Sequence, residues 1–374
     1  YTLSLHDALP IWRKNMKNNI YVLNQRQDET FDAAGKAMRD VFSVLADKNA
    51  KIIWSVPKHC SKYLKLLDLP YLVLFLLFHV NKNDNVFYSI PENHLKIRLL
   101  KSLQRVKKYR IICFVNDLNA FRYDGQTDGD PGEVRALAAA DKILAPNVNT
   151  VSMLKKNGIS SDMIPVGIWD YRMNETQIAK IREISHAHKK ENEVKIAFAG
   201  NLNKSEFLSV MEIPSDVRME LWGKLDPERE KTLADGCYYH GILSSDEIPF
   251  AVAEMDYGLV WDGSGKDEIE GGLGEYLRYN NSHKCALYLA SGLPVIVWSQ
   301  SGMAYFVKEH ACGIVIDRLS DLDQVLREAD YEKVKEAALT VAPKLWEGYY
   351  LSKAIDTASS KHRIEATGKA DKDM

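Results

Sequence analysis

Residues 270–302 read EGGLGEYLRYNNSHKCALYLASGLPVIVWSQSG, and their punctuation decides the fold. A glycine-broken loop leads through polar and aromatic residues to Lys284 at the head of a short helix. Asn281 or Ser282 stands in position to cap the helix Lys284 to Ala290, and Gly292 to stop it. The strand Pro294 to Trp298 is almost wholly apolar, the pattern of a parallel strand covered on both faces. A loop that brings a lysine and unpaired N–H groups to a helix start, beside such strands, suits a diphosphate. The same residues also read as an ordinary strand–helix unit with a lysine on its surface.

Upstream, the strand ends repeat the theme. Val194 to Ala199 is a strand followed by GNLNKSEFL, in which Gly200-Asn201-Leu202 turns the chain and Lys204 and Ser205 open a helix. The turn lacks GxGxxG, which disfavours a nicotinamide dinucleotide, and the Walker pattern is absent from it too. Met219 to Trp222, Cys237 to His240 and Tyr257 to Trp261 are further strands, running into Gly223, Gly241 and Gly263. Glycine loops along one edge of a parallel sheet make a nucleotide-sized cleft. Leu243 to Ala253 is a helix and Gly313 to Ile316 the last strand. Helices follow at Asp321 to Arg327, at Tyr331 to Leu339 and, rich in aromatics, at Lys344 to Thr357.

The first half alternates in the same way. Strands at Ile20 to Leu23, Ala50 to Val56, Asn85 to Ser89, Arg110 to Val115 and Asp141 to Ala145 are separated by helical patterns, among them Phe31 to Ala46 and Leu95 to Val106. Such alternation means α/β with a parallel sheet. The loop NDLNAFRYDG places Asn116, Asp117 and Arg122 outside a strand's carboxyl end, where ligands of open sheets bind; Asp117 also reads as a helix cap or turn residue. The most apolar segment, Leu64 to Val80, is interrupted and shorter than the ~20 apolar residues a membrane span needs, and reads as a buried element. PVGIWDY, residues 165–171, crosses into the second half.

The chain has 374 residues, 46% hydrophobic and 27% charged, with net charge −2. That composition is globular, long enough for two domains, and gives no global argument for nucleic-acid binding. The five cysteines are scattered without CxxC spacing, which reads as reduced thiols of a cytosolic protein and no zinc site. Asp128-Gly129-Asp130 has DxD spacing but sits in a glycine-rich loop tip and is not read as a metal site. Residues 1–15 resemble translated sequencing-adapter read-through and are set aside as a non-native leader.

FAGNLNKSEFL, YHGILSSDEIP, GLVWDG and GEYLRYNNSHKCALYLASGLPVIVWSQSGMAYFVKEHACGIVI together resemble the carboxyl-terminal half of GT-B sugar-nucleotide transferases, specifically the bacterial glucosyltransferase and β-1,6-galactofuranosyltransferase family. FVNDLNAFR, AADKILAPN and the WDY at Trp169 to Tyr171 extend the resemblance over most of the chain from Ile20 to Ala354. Ser282 stands where a looser proline-histidine-lysine version of the motif has proline.

The resemblance implies two Rossmann-like domains facing across a cleft, residues 16–168 on the acceptor side and 169–343 binding the nucleotide sugar. A helix over 344–358 returns to the first domain and a frayed tail spans 359–374. It implies a hexosyltransferase moving glucosyl or galactofuranosyl from a UDP-sugar to a glycan, glycopeptide or lipid-linked acceptor, with no metal and no cofactor. By analogy Lys284 neutralises the departing diphosphate, and Gly200, Asn201 and Lys204 flank the diphosphate or the sugar. Trp222 and Tyr239 border the base. Glu275, Tyr279, Asn281 and His283 lie in the loop facing the donor sugar. Asp117 faces the cleft from the acceptor side as a base, with His59, His94 and His240 as alternatives. A non-catalytic partner subunit and a nucleotide-sugar epimerase are the competing readings. The protein is expected in the cytoplasm; the basic helix Leu95 to Arg110 leaves contact with the inner membrane face open, and homo-oligomerisation is open as well.

Overall fold

The computed structural model describes residues 18–23, 33–54, 63, 67–90, 94–118, 131–267, 269 and 272–360. The leader, His59, Arg122, the Asp128–Asp130 tip and the chain beyond 360 lie outside the described residues.

The first domain runs β1 (Ile20–Leu23), α1 (Ala33–Asp47), β2 (Lys51–Ile53), α2 (Asp68–His79), β3 (Asn85–Ile90), α3 (His94–Lys107), β4 (Arg110–Val115), α4 (Pro131–Ala139), β5 (Lys142–Ala145), α5 (Val148–Lys156) and β6 (Asp162–Pro165). Its six strands are all parallel, in the order β2-β1-β3-β4-β5-β6. After the crossing segment, α6 (Glu175–Ala187) opens with a capping box between Asn174 and Gln177.

The second domain follows as β7 (Val194–Ala199), β8 (Val217–Trp222), α7 (Pro227–Glu230), β9 (Cys237–Tyr239), α8 (Ile248–Ala253), β10 (Tyr257–Val260), α9 (Gly272–Tyr276), α10 (His283–Ala290), β11 (Val295–Trp298), α11 (Ala304–His310), β12 (Gly313–Ile316) and α12 (Leu322–Glu328). Its six parallel strands are ordered β12-β11-β10-β7-β8-β9. Helices α13 (Tyr331–Glu347) and α14 (Tyr349–Ser359) close the described chain.

Because side chains alternate along a strand, β1, β3, β4 and β5 each feed two cores. From β4, Ile112 and Phe114 join a core continuous with the second domain. Ile111, Cys113 and Val115 join a separate core with Leu72 and Leu76 of α2 and Leu100 of α3. The α2–α3 side is therefore the outer face of this domain, and the α1 side is sealed by α14. Leu351 and Ile355 of α14 sit in the shared core, and Arg110 holds its far end by donating to the Ser359 and Ser360 carbonyls. Asp170 of the crossing segment receives the Tyr350 and Leu351 N–H groups at 3.2 and 2.8 Å. Burial pushes this carboxyl up to about 7, and the two hydrogen bonds restrain the rise.

Several expectations need correction. Over its described part, residues 67–80, the apolar run is not a wholly buried element: in α2 only Leu72 and Leu76 are buried, because one side alone meets the sheet. The helix expected to open at Lys204 is a pair of 3₁₀ turns, Leu202–Lys204 and Glu206–Ser209. The helix expected from Leu243 begins at Ile248, since Ser244 and Glu247 bond each other first. The break expected between Leu339 and Lys344 falls instead at Gly348, whose φ of +72° suits glycine. Trp346 packs on the second domain, not the first, donating to the Ala290 carbonyl at 2.7 Å. All four described cysteines, Cys113, Cys237, Cys285 and Cys312, are free thiols.

Candidate active site

The site begins with the placement of α10. Its Tyr288 crosses β10 where Gly258 leaves room; a Cβ there would lie 2.2 Å from the ring. The Tyr288 hydroxyl then accepts the Ala199 N–H at 2.8 Å, tying the helix to the end of β7. With Trp346 holding Ala290, the carboxyl-terminal half of α10 is fixed at two points. Ser282 occupies the N-cap position, but neither it nor Asn281 caps with its side chain. The Asn281 amide instead donates to the Pro146 carbonyl at 2.8 Å and accepts from Asn147 at 2.9 Å, both in the first domain.

Lys284 passes Gly200 so closely that a Cβ there would stand 3.0 Å from its Cε. Its Nζ lies 3.2 Å from the Trp261 carbonyl, 3.6 Å from Asp262 Oδ2 and 4.4 Å above the Phe198 ring. The glycine turns stack backbone on backbone. Gly200 N–H donates to the Trp222 carbonyl and Gly223 N–H to the Gly241 carbonyl. A Cβ on Gly223 would fall 1.7 Å from the Gly200 oxygen, at a φ of +131°.

Opposite, Asp117 Oδ1 accepts from the Tyr276 hydroxyl at 3.0 Å, and that hydroxyl accepts the Leu118 N–H at 2.9 Å. Between these walls is a cleft of about 300 Å³. Asp117, Gly200, Asn201, Asn281, His283 and Lys284 line it together. His283 Nε2 and Asn280 Oδ1, both in this wall, are among the buried polar atoms without a hydrogen-bond partner among the described residues. Orphaned polar atoms grouped at a cleft are a signature of a ligand site. Burial, with Lys36 nearby, pulls the His283 imidazole down to about 4, so it is neutral near pH 7.

The other sequence candidates lie elsewhere. Lys204 is exposed on its 3₁₀ turn. Trp222 is buried at the end of β8 under the His240 ring, 4.9 Å between centroids, and Tyr239 donates to the Gly223 carbonyl at 2.9 Å. His240 itself is paired with Glu220. Glu275 braces its loop through Arg278 at 2.6 Å. Tyr279 gives its carbonyl to Asn147 at 2.8 Å and to Thr150.

Asp262, Tyr276 and Lys36 are among the cleft residues not singled out from sequence. Asp262 pairs with Lys284; its signal was its place at a strand end before glycine. Tyr276 bridges the domains. Lys36 sits at the cleft floor, 2.5 Å from Asp40 and 2.8 Å from the Arg172 carbonyl, where burial pulls its ammonium down.

Residues 19–168 match the family model "Glucosyltransferase 3-like, N-terminal domain", and residues 196–358 match "Glucosyltransferase 3-like, C-terminal domain". The chain belongs to the glucosyltransferase 3-like family. Within reach of this family, it is 22% identical over 340 residues to the β-1,6-galactofuranosyltransferase WbbI of Escherichia coli (strain K12), covering 90% of this chain and 97% of that protein. It is 23% identical over 290 residues to glucosyltransferase 3 of Streptococcus gordonii, covering 75% and 80%. Among solved structures, the fold resembles sucrose-phosphate synthase from Thermosynechococcus elongatus, with a TM-score of 0.57, 12% identity, and 91% and 98% coverage. It also resembles Anabaena HepE in complex with UDP and glucose, with a TM-score of 0.54, 12% identity, and 92% and 100% coverage. The architecture is GT-B: two Rossmann-like domains across a cleft, with the last helix returning to the first.

Proposed function

We propose that this glucosyltransferase 3-like protein transfers a hexosyl group, glucosyl or galactofuranosyl, from a UDP-sugar to a glycan or glycoconjugate acceptor in the cytoplasm, without a metal. The observation that carries the reading is the Lys284 ammonium, held at the start of α10 beside the Gly200–Asn201 turn and across the cleft from Asp117.

Glycosyl transfer breaks the bond from the anomeric carbon to the diphosphate, and negative charge builds on the departing UDP. A cation and first-turn N–H groups aimed there lower that barrier. Lys284 supplies the charge, with Gly200 and Asn201 alongside. Lys204 and Tyr239 stand toward the nucleotide end beyond the Gly200–Gly223 contact, with Trp222 buried beneath them as support. Asn281 and His283 shape the sugar end, and Glu275 and Tyr279 brace the loop behind them; His283, neutral at pH 7, offers a hydrogen bond without adding charge. Asp117 accepts the proton of the acceptor hydroxyl. That division is supported by the carboxylate's position on the first domain, facing the lysine of the second.

The test is transfer from a panel of radiolabelled UDP-sugars to simple acceptors. Lys284→Ala is expected to lower turnover by about 10²–10³-fold. UDP binding with no transfer from any donor would overturn the reading in favour of a non-catalytic subunit.

A further inference from the structure

The sequence of α2, DLPYLVLFLLFH, is apolar around nearly its whole circumference, yet the helix buries only Leu72 and Leu76. Phe78 is 77% exposed and Leu74 54%, with Leu67 and Leu77 beside them also exposed. Beside it runs α3, HLKIRLLKSLQRVK, which carries five cations and no acid. The two helices lie parallel on the outer face of the first sheet. Lys96 meets Asp68 at 2.8 Å near their starts, and Lys107 donates to the Leu77 carbonyl at 2.6 Å near their ends. The first contact consumes the only acid of α2. Lys82 and Lys108 are exposed at the carboxyl ends of the two helices, where the Asn83 N–H meets the Lys108 carbonyl, and Arg98 and Arg105 are exposed on the side of α3 away from α2.

We propose that this α2–α3 face docks on an anionic lipid surface. Charge decides the occupant. A second copy meeting this one about a two-fold axis would set the same cations against each other. A bilayer with anionic headgroups offers both partners at once: acyl chains for Leu74 and Phe78, and negative charge for the lysines at the helix ends. The contact lies on the membrane and does not cross it, since no helix among the described residues is long and apolar enough to span one. The inference stands apart from the transfer chemistry, because neither helix lines the donor cleft.

Cosedimentation of the full chain with vesicles tests it. The protein is expected to pellet with phosphatidylethanolamine–phosphatidylglycerol vesicles and not with phosphatidylcholine vesicles, and to be released by salt. Lys82→Gln with Lys108→Gln is expected to weaken binding by roughly 25-fold, at about fivefold per cation. Leu74→Ser with Phe78→Ser should abolish pelleting while leaving the thermal midpoint unchanged, as both side chains are exposed. Failure to pellet with anionic vesicles, or pelleting that both variants retain, overturns the proposal. A dimer by light scattering that Leu74→Ser with Phe78→Ser dissociates, without vesicle binding, assigns the face to a second copy instead.

Discussion

The two six-stranded sheets are alike in length and direction, but their cleft-facing edges are held by different bonds. The edge of the second domain is tied backbone to backbone: Gly200 to Trp222, Leu202 to Lys224, Gly223 to Gly241. The edge of the first domain around Asp117 is tied across the cleft by a side chain, the Tyr276 hydroxyl. One wall is rigid by itself; the other is aligned by its partner. A preformed wall suits a ligand whose phosphates never vary, and an aligned wall suits catalysis that begins when both halves are in place.

That contrast can be broken by experiment. Asp117→Asn is expected to cost the most, about 10²–10⁴-fold in turnover with UDP affinity unchanged, measured by steady-state kinetics and calorimetry. Equal losses in both would erase the division between walls. Gly223→Ala places a Cβ on the Gly200 oxygen and is expected to destabilise by about 3 kcal/mol in urea unfolding, with weaker UDP binding. A variant that keeps both would show the glycine edge to be pliable.

His283 sharpens the comparison through pH. Its imidazole is lowered to about 4 in the folded protein from an ordinary 6.5, so the unfolded chain binds the proton first as pH falls. The stability it contributes is complete above pH 6.5 and is lost on descent to pH 4, by roughly 2–3 kcal/mol. Asp170, raised to about 7, acts in the opposite sense, losing stability as pH rises toward 7, but does so equally in wild type and variant. The thermal midpoint of His283→Asn should therefore gain on wild type from pH 6.5 to 4; a constant difference would remove His283 from the buried wall. Tyr276→Phe is the mildest change. It is expected to cost about 1 kcal/mol, seen as a severalfold drop in turnover without a change in UDP affinity.

The strands and their glycine ends were legible because a buried parallel strand is written as a short apolar run closed by a turn. Lys284 and Gly200 came with them. What escaped was burial that depends on two elements at once. The apolar spacing of α1 marks one face, and Lys36 lies on the other; that face is covered by the crossing segment at Tyr171 and Arg172, which no local pattern announces. The hydrophobicity of α2 was visible, but not that half of it would face outward. The sequence reads as two helices parted between Leu339 and Lys344, yet α13 continues through Pro343, with Leu345 and Trp346 buried on the next turn. Tyr276 could not be distinguished from Tyr279 by sequence, since only the opposing domain decides which one reaches Asp117.

The pairing of Lys284 with Asp262 has a consequence for selectivity. On the proposed function, a diphosphate entering this cleft would not meet a naked positive charge; it would have to take the ammonium away from a carboxylate that already holds it. Binding is thus an exchange of one anion for another. A lone inorganic phosphate brings little beyond the charge it replaces. A nucleoside diphosphate also brings a base and a sugar, whose added contacts tip the exchange. The carboxylate serves as a built-in competitor, and it sets the threshold a ligand must exceed to be admitted.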